Sequence, residues 1–135
     1  MISLDASILV RYATNDDRKL AGLAVEIIER HTCFVSKAAL MEMVFVLESV
    51  YKRDRSAVTA ALRTIFGLAA VNVEQQSLTA HAVEWYAAGM DFGDAMTLAS
   101  SAGVDGVATF DRDFQKRAAA LNATPPVVHF KAGQQ

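Results

Sequence analysis

Short runs of apolar and β-branched residues alternate along the chain with longer stretches in which apolar residues recur every three or four positions. The short runs predict strands and the longer stretches predict helices. Strands that are separated by helices pair in parallel, because each parallel partner needs a crossover connection. The alternation therefore predicts an α/β fold with parallel strands.

Caps and helix breakers sharpen the boundaries of these elements. Acids at Asp16 and Asp17 precede one helical stretch, and Ser36, Ser56 and Ser77 are candidate N-caps of three others. Glycines close three of the helical stretches. The sequence predicts strands at 1–4, 33–35, 70–73, 106–110 and 127–130, and helices at 18–30, 37–52, 57–66, 78–88, 92–102 and 113–121.

The organisation of the chain indicates one domain. Its 135 residues suffice for a single sizeable core, and no repeat, low-complexity segment or linker divides them. We predict one domain over residues 1–131 and a frayed tail at 132–135. The first residues lack a charged leader, and no apolar run approaches the roughly 20 residues that span a bilayer. We therefore expect a cytoplasmic protein without a membrane segment.

Charge and cysteine content exclude several classes of site. The formal net charge is −2, whereas a dedicated duplex binder usually carries a basic balance. The single cysteine, Cys33, excludes an intramolecular disulfide and a cysteine-rich zinc site, and it is predicted to be an inert core thiol. The three histidines, at 31, 81 and 129, do not have metal-ligand spacing.

Two acids stand at the predicted ends of strands. Asp5 follows the first strand and Asp111 follows the fourth. Open α/β sheets place their sites outside the carboxyl ends of the strands, so these positions are candidates for chemistry. Both residues have an ordinary alternative as turn or cap aspartates. In T-F-D-R-D-F, Asp113 is a second candidate beside Asp111.

A third acid lies inside an apolar helical stretch. In A-A-L-M-E-M-V-F-V-L, the helical neighbours of Glu42 are alanines, Phe45 and Val46. An acid in such a stripe is unfavourable unless it is paired or bound to a cation. A helix that is partly open to solvent is the alternative, since it carries the acid without cost.

The stretch D-F-G-D-A-M-T-L-A (91–99) opens with two acids three residues apart. Asp91 can cap the helix, and Asp94 falls near its third position, where an acid favours the helix dipole. Gly93 between them weakens the helix that it helps to start, and leaves room for a group to approach the backbone. Capping and metal binding are both open interpretations of this pair.

Acids from separate parts of the chain thus converge on one predicted crevice. Their mutual repulsion raises carboxyl pKa values or requires a counter-cation. Carboxylate oxygens without nearby histidine or cysteine suit magnesium or manganese better than zinc. The sequence therefore predicts a hard divalent cation among Asp5, Glu42, Asp94 and either Asp111 or Asp113.

These segments, in their order and spacing, resemble the PIN-domain nucleases, and most closely the VapC toxins of bacterial toxin–antitoxin pairs. The resemblance runs from L-D-A-S-I-L-V-R-Y through V-S-K-A-A-L-M-E-M-V-F-V-L and D-F-G-D-A-M-T-L-A to V-A-T-F-D-R-D-F. It implies a three-layer α/β/α arrangement around a central, mostly parallel sheet of four or five strands. Ser7 stands where many relatives have Asn, and Gly93 where Ala is frequent.

The resemblance implies a metal-dependent endoribonuclease that hydrolyses a tRNA or rRNA loop. It implies Mg²⁺ (or Mn²⁺) as cofactor and a VapB-type antitoxin as partner. The predicted helix at 37–52 is apolar on more than one face, which is compatible with a homodimer and equally with a helix in the interior of the domain. The implied catalytic residues are Asp5, Glu42, Asp94 and Asp111, of which Asp5 and Asp94 are the metal ligands. Supporting candidates are Asp113, Thr109, Ser7 and Asp91, and candidate guides for the RNA backbone are Arg11, Lys37, Arg112 and Lys116.

Three other functions compete with this one. A non-toxin PIN ribonuclease of RNA processing and a catalytically silent PIN-like module share the fold. A phosphoacceptor receiver domain is also a small α/β unit with magnesium and acids at strand ends. It needs an acidic pair after the first strand, where this chain has only Asp5, and an aspartate after a central strand, where residues 72–74 read N-V-E.

Overall fold

The computed structural model describes residues 1–131, which divide into two compact units, residues 1–76 and residues from 77 onward. Seven helices and five strands lie within the described residues, and every strand pair is parallel. The predicted α/β class with parallel strands is confirmed. The prediction of one domain stays a prediction, and the predicted frayed tail at 132–135 lies outside the described residues.

The first unit is built on a three-stranded parallel sheet in the order β1–β2–β3. Ile2 pairs with Cys33, and Phe34 pairs with Asn72. Helices follow each of the first two strands, as parallel pairing requires. The elements are β1 (Ile2–Ser3), α1 (Ala6–Thr14), α2 (Arg18–Arg30), β2 (Cys33–Val35), α3 (Lys37–Ser49), α4 (Arg55–Gly67) and β3 (Val71–Val73).

Helix α1 is the element that the sequence did not predict. It begins directly after Asp5 and contacts both α2 and α3. Its apolar residues include two β-branched positions and follow the first strand with only one acid between them, so the run has no breaker to separate strand from helix. The N-cap is Asp5 itself, whose side chain accepts the N–H of Ser7.

Two of the other three helix starts of the first unit follow the predicted cap chemistry. Asp17 caps α2 and Ser36 caps α3, each by accepting a backbone N–H of the first turn. The prediction of Ser56 as the cap of α4 is wrong. Asp54 caps that helix by accepting the N–H of Ala57 at 2.9 Å, two positions before the predicted cap.

Buried side chains of α1, α3 and α4 form the core of the first unit. Leu9, Leu40, Met43, Leu62 and Ile65 are among the fully buried side chains. Cys33 on the central strand β2 is also buried, and burial raises the pKa of its thiol. A protonated, buried thiol is unreactive, which agrees with the predicted core role.

The second unit carries a two-stranded parallel sheet and three helices. Tyr86 and Phe92 are buried and meet edge to face, with ring centroids 5.5 Å apart. The elements are α5 (Gln76–Ala87), α6 (Phe92–Ala99), β4 (Val107–Thr109), α7 (Arg112–Ala120) and β5 (Val127–His129). Helix α7 contacts both strands and buries Phe114 and Ala118. The five strands within residues 1–131 thus belong to two hydrogen-bonded sheets of three and two strands.

Within residues 1–131, every helix is too short or too polar to cross a lipid bilayer.

Candidate metal centre

The N-terminus of α6 holds two of the predicted acids. Asp91 is the N-cap, and its Oδ2 accepts the backbone N–H of Asp94 at 3.1 Å. This confirms Asp91 as a helix cap. Asp94 lies in the first turn of the helix, where the unpaired N–H groups favour a negative charge.

Asp94 is held in an unfavourable electrostatic environment. Its side chain is half-buried, and burial is the main cause of a raised carboxyl pKa. The charges of Asp91 and then of Asp111 raise the pKa of Asp94 further. No donor from residues 1–131 forms a hydrogen bond to the Asp94 carboxylate, and no cation of that part of the chain pairs with it. The second unit therefore holds a carboxylate whose charge is not balanced by any group among the described residues.

Asp111 occupies the turn between β4 and α7, as predicted for an acid at a strand end. It caps α7, because its Oδ1 accepts the N–H groups of Asp113 at 2.9 Å and of Phe114 at 3.3 Å. The Asp111 N–H in turn donates to the Thr109 hydroxyl at 3.0 Å. The bond to Thr109 holds the Asp111 backbone, and the two cap bonds, which both use Oδ1, orient the carboxylate.

Asp113 differs from Asp111 in its surroundings. It lies in the first turn of α7 with an exposed side chain, and only its backbone N–H contributes to the cap. Asp111 raises the pKa of Asp94, whereas Asp113 is not among the charges that act on Asp94. Of the two candidates for the fourth acid, Asp111 is the one electrostatically coupled to Asp94.

The first unit places Asp5 at the end of β1, as predicted. Its Oδ2 accepts two hydrogen bonds from Ser7, from the hydroxyl at 2.7 Å and from the backbone N–H at 3.1 Å. These hydrogen bonds, with that of the hydroxyl as the largest effect, hold the pKa of Asp5 below its usual range. Ser7 thus orients the Asp5 carboxylate and keeps it ionised.

Glu42 does not lie in an apolar interior. Its side chain is exposed on α3, and its neighbours Met41 and Phe45 are exposed as well. The apolar residues that surround Glu42 in the sequence divide between two faces of the helix, and the buried face carries Met43, Val44 and Leu47 instead. The alternative of a helix partly open to solvent is therefore the observed one, and burial gives no reason for Glu42 to need a cation.

The four candidate basic guides fall into two groups. Arg11 pairs with Asp16 at 3.2 Å, and the Lys37 ammonium donates to the side-chain carbonyl of Gln75. Both belong to the first unit and are held by local contacts. Arg112 and Lys116 lie exposed on α7 in the second unit.

The donor chemistry of the second unit fits a hard divalent cation. Asp91, Asp94 and Asp111 supply carboxylate oxygens, the ligands that Mg²⁺ and Mn²⁺ prefer. Their repulsion is the kind that a bound cation relieves. Within residues 1–131, however, no group of three or more His, Cys, Asp or Glu side chains is already drawn together tightly enough to hold a metal ion.

One surface of the second unit was missed by the sequence interpretation. The sequence predicts Phe110 and Phe130 at the ends of strands, and the structure shows that both are exposed and line a cleft with Lys131. The signal in the sequence was a large aromatic residue directly before a candidate acid, in T-F-D. Periodicity alone gives such a residue a core role.

Comparison with known proteins gives one match. A search of curated proteins and a search of solved structures found no significant similarity. The family profile of the PIN domain matches residues 2–120, which include parts of both units and all of the predicted site residues. Members of this family are generally metal-dependent nucleases. The chain therefore belongs to the PIN domain family.

Proposed function

We propose that this protein is a VapC-type toxin, an endoribonuclease that hydrolyses a loop of structured RNA with Mg²⁺ or Mn²⁺ and is neutralised by a VapB-type antitoxin. The observation that carries the nuclease assignment is the uncompensated Asp94 carboxylate, half-buried and acted on by Asp91 and Asp111, in a chain of the PIN domain family. The RNA substrate and the toxin role rest on the sequence resemblance.

The proposal gives each acid a role. Asp94 and Asp5 are metal ligands, and Asp111 completes the set of carboxylates. Glu42 orients the attacking water or binds a second ion. Asp94 and Asp111 are supported by their electrostatic coupling, and Asp5 by the hydrogen bonds that keep it ionised. The role of Glu42 is supported by the resemblance alone.

A divalent ion supplies an acidified water and neutralises charge on the phosphodiester. The protein contributes carboxylates that local hydrogen bonds hold in place. Ser7 orients Asp5, and Thr109 together with the α7 cap orients Asp111. Because water attacks the phosphorus and the ribose 2′-hydroxyl does not, the products carry a 5′-phosphate and a 3′-hydroxyl.

The first test replaces Asp94 with Asn. The variant keeps the backbone N–H that Asp91 accepts, so α6 should stay folded, while one ligand charge is lost. Cleavage of total cellular RNA in Mg²⁺ or Mn²⁺ should fall by orders of magnitude, with an unchanged circular dichroism spectrum. Asp105→Asn, which removes an exposed carboxylate of the same unit, should retain activity. Full activity of Asp94→Asn would reject the assignment.

A pair of matched variants tests whether Asp111 or Asp113 is the fourth acid of the site. Asp111→Asn keeps a side-chain oxygen for the α7 cap, and Asp113→Asn changes an exposed side chain of the same turn. We expect the first change to lower cleavage far more than the second. A greater loss of cleavage in Asp113→Asn than in Asp111→Asn would assign the fourth position to Asp113.

The toxin role is tested in cells and with its partner. Expression of the chain should arrest growth, and Asp94→Asn should not. Co-expression of a small protein encoded directly upstream should restore growth and block cleavage by the purified protein. Cleavage without growth arrest would indicate a ribonuclease of RNA processing, and absence of any cleavage would indicate a catalytically silent member of the family.

The proposed homodimer is supported by an exposed apolar surface on helix α3. Helix α3 exposes Phe45 to 65% and Met41 to 38%, so an apolar stripe lies on the surface of the first unit. Light scattering should give the mass of two chains, and Phe45→Glu should lower it to one. Glu48→Gln, an exposed position on the same helix, is the control. A dimer that survives Phe45→Glu would place the interface elsewhere.

A further inference from the structure

We propose that the cleft between Phe110 and Phe130 binds unpaired bases of single-stranded RNA by stacking. We call these two side chains and the cleft that they line the aromatic cleft. The inference rests on the proposed function, since it names how the RNA substrate is held. It goes beyond that function in assigning a base-binding role to two phenylalanines that take no part in the chemistry.

The parallel pairing of β4 and β5 creates the aromatic cleft. Thr109 pairs with His129 at the ends of the two strands. Phe110 and Phe130, the residues that follow them, therefore lie next to each other at the same edge of the sheet. The Phe130 N–H donates to the Thr109 carbonyl at 2.9 Å, which locks the two segments in register. The two aromatic residues are therefore held side by side by backbone hydrogen bonds.

Both rings are presented to solvent. Phe110 is 85% exposed and Phe130 is 46% exposed. Large aromatic residues dominate cores and interfaces, so two exposed rings lining one cleft indicate a surface that binds a partner. The cleft has a volume of about 620 Å³, and its lining consists of Ala108, Thr109, Phe110, Phe130 and Lys131.

The charge of the lining favours RNA over a purely apolar partner. Lys131 lines the aromatic cleft, and Arg112 lies exposed two residues after Phe110. The chain as a whole is acidic, with a formal net charge of −2, so local cations are needed for any contact with phosphate. Sites for single strands combine aromatic faces for the bases with basic groups for the backbone.

The position of the aromatic cleft also suits the substrate. Phe110 directly precedes Asp111, and Thr109 both lines the cleft and accepts the Asp111 N–H. A base stacked on Phe110 would therefore contact the residue next to Asp111, a proposed catalytic acid. A loop of RNA offers such unstacked bases, whereas a duplex does not.

The test measures binding separately from cleavage. Affinity for a fluorescent single-stranded RNA octamer is measured in EDTA, where cleavage does not occur. Phe110→Ala should weaken binding by about 5- to 150-fold, the range expected for loss of one stacked base. Phe110→Trp should retain the affinity, and Phe110→Leu, which keeps an apolar side chain without an aromatic face, should not. Val104→Ala, at another exposed apolar position of the second unit, should bind like the wild type.

Abasic RNA separates stacking from a structural role. We prepare octamers in which single nucleotides lack their base. At one position in the octamer, removal of the base should weaken binding by the wild type. At that position, wild type and Phe110→Ala should then bind the octamer with equal affinity. In cleavage assays with Mg²⁺, Phe110→Ala should raise KM and leave kcat unchanged.

Three results would overturn the inference, and the first two concern binding and mass. One is equal affinity of the wild type, Phe110→Ala and Phe110→Leu for the octamer. The other is a halved mass of Phe110→Ala in light scattering, which would make the aromatic cleft an interface between copies of this chain. A wild type that binds RNA through stacked bases without cutting it would reject the proposed nuclease and leave the base-binding site standing. The third result is cleavage that Phe110→Ala leaves unaffected, which would reject the base-binding site and leave the proposed nuclease standing.

Discussion

At the scale of single residues, two aspartates of this chain show opposite responses to their surroundings. Asp5 is exposed and accepts two hydrogen bonds from Ser7, which lower its pKa. Asp94 is half-buried and has two carboxylates as its charged neighbours, and its pKa is raised. Hydrogen bonds to the charged form and desolvation act in opposite directions, so the same residue type is stabilised as an anion at one position and destabilised at the other.

Replacement of Ser7 by Ala tests the cause of the Asp5 shift. The hydroxyl at 2.7 Å is lost, whereas the backbone N–H at 3.1 Å remains. We therefore expect the pKa of Asp5 to rise part of the way toward its ordinary value, as followed by the ¹³C chemical shift of its carboxyl group. Ser49→Ala, a change at an exposed serine of α3, should leave it unaltered. An unchanged Asp5 titration in Ser7→Ala would contradict the role assigned to the hydroxyl.

The raised pKa of Asp94 has a consequence for stability without metal. Over the interval between its unfolded pKa, about 3.9, and the higher folded value, the native state binds more protons than the unfolded state. The free energy of unfolding therefore decreases as the pH rises through that interval. In EDTA, Asp94→Asn should be more stable than the wild type at neutral pH, and the difference should vanish below the unfolded pKa.

Urea unfolding at several pH values measures this difference. Asp105→Asn, at an exposed position, serves as the control for loss of one charge. A wild type that is more stable than Asp94→Asn at neutral pH without metal would show that Asp94 is not under electrostatic strain.

At the scale of elements, the turns between helices and strands carry both the fold and the candidate site. Asp5, Asp91 and Asp111 each cap a helix and each belong to the proposed acid set or its surroundings. Capping uses one carboxylate oxygen, and the helix dipole favours the negative charge. The same local rule that starts a helix thus delivers a carboxylate to a fixed position, so capping and metal binding are not alternatives at these residues.

The turn after α5 depends on a glycine. Gly89 has a φ of +115°, and an added Cβ would approach the Arg117 guanidinium to 3.1 Å. Gly89→Ala should lower the free energy of unfolding by about 1–3 kcal/mol, because an L-residue is strained in this conformation. Gly67→Ala, where nothing lies within 4 Å of the added carbon and φ is not positive, should be neutral or slightly stabilising. Equal effects of the two changes in urea unfolding would contradict this explanation.

Helix α4 contains a buried hydroxyl, that of Thr59, without a hydrogen-bond partner among the described residues. The Thr59 side chain is 5% exposed, and its hydroxyl has no partner among residues 1–131. Thr59→Val keeps the shape of the side chain and removes the buried hydroxyl, so it should raise the free energy of unfolding by about 1 kcal/mol. Thr64→Val on the same helix is the control, because that hydroxyl donates to the Ala60 carbonyl at 3.0 Å. Destabilisation by Thr59→Val would show that the hydroxyl does have a partner in solution.

At the scale of the whole molecule, the proposed ion links activity to stability. A ligand that binds only the folded state stabilises it by about 2.7 kcal/mol at a concentration one hundred times its dissociation constant. Mg²⁺ or Mn²⁺ should therefore raise the Tm of the wild type, and EDTA should reverse the rise. Asp94→Asn should lose most of this response, and Asp105→Asn should keep it. A Tm that is independent of divalent ions in the wild type would remove the basis for a metal centre.

Much of the fold could be predicted from the sequence because it depends on near neighbours. The bounds of α2 follow from the spacing of its apolar residues and the cap at Asp17, and they match residues 18–30 as predicted. The starts of α3 and α6 follow from Ser36 and Asp91 in the same way. Where local signals conflicted, prediction failed: α1 begins without a break from β1, and Glu42 lies on an exposed face that the sequence pattern did not separate from the buried one.

The sequence by itself determined the parallel α/β class, the order of every element except α1, the caps at Asp17, Ser36 and Asp91, and the residues that can supply carboxylate oxygens. These features arise from periodicity and hydrogen bonds between residues a few positions apart. Only the tertiary structure decided that Asp111 acts on Asp94, that Asp113 does not, and that Phe110 and Phe130 share one cleft. Such relations join residues far apart in the chain, and their distances are set by how helices and strands pack, which no local pattern encodes.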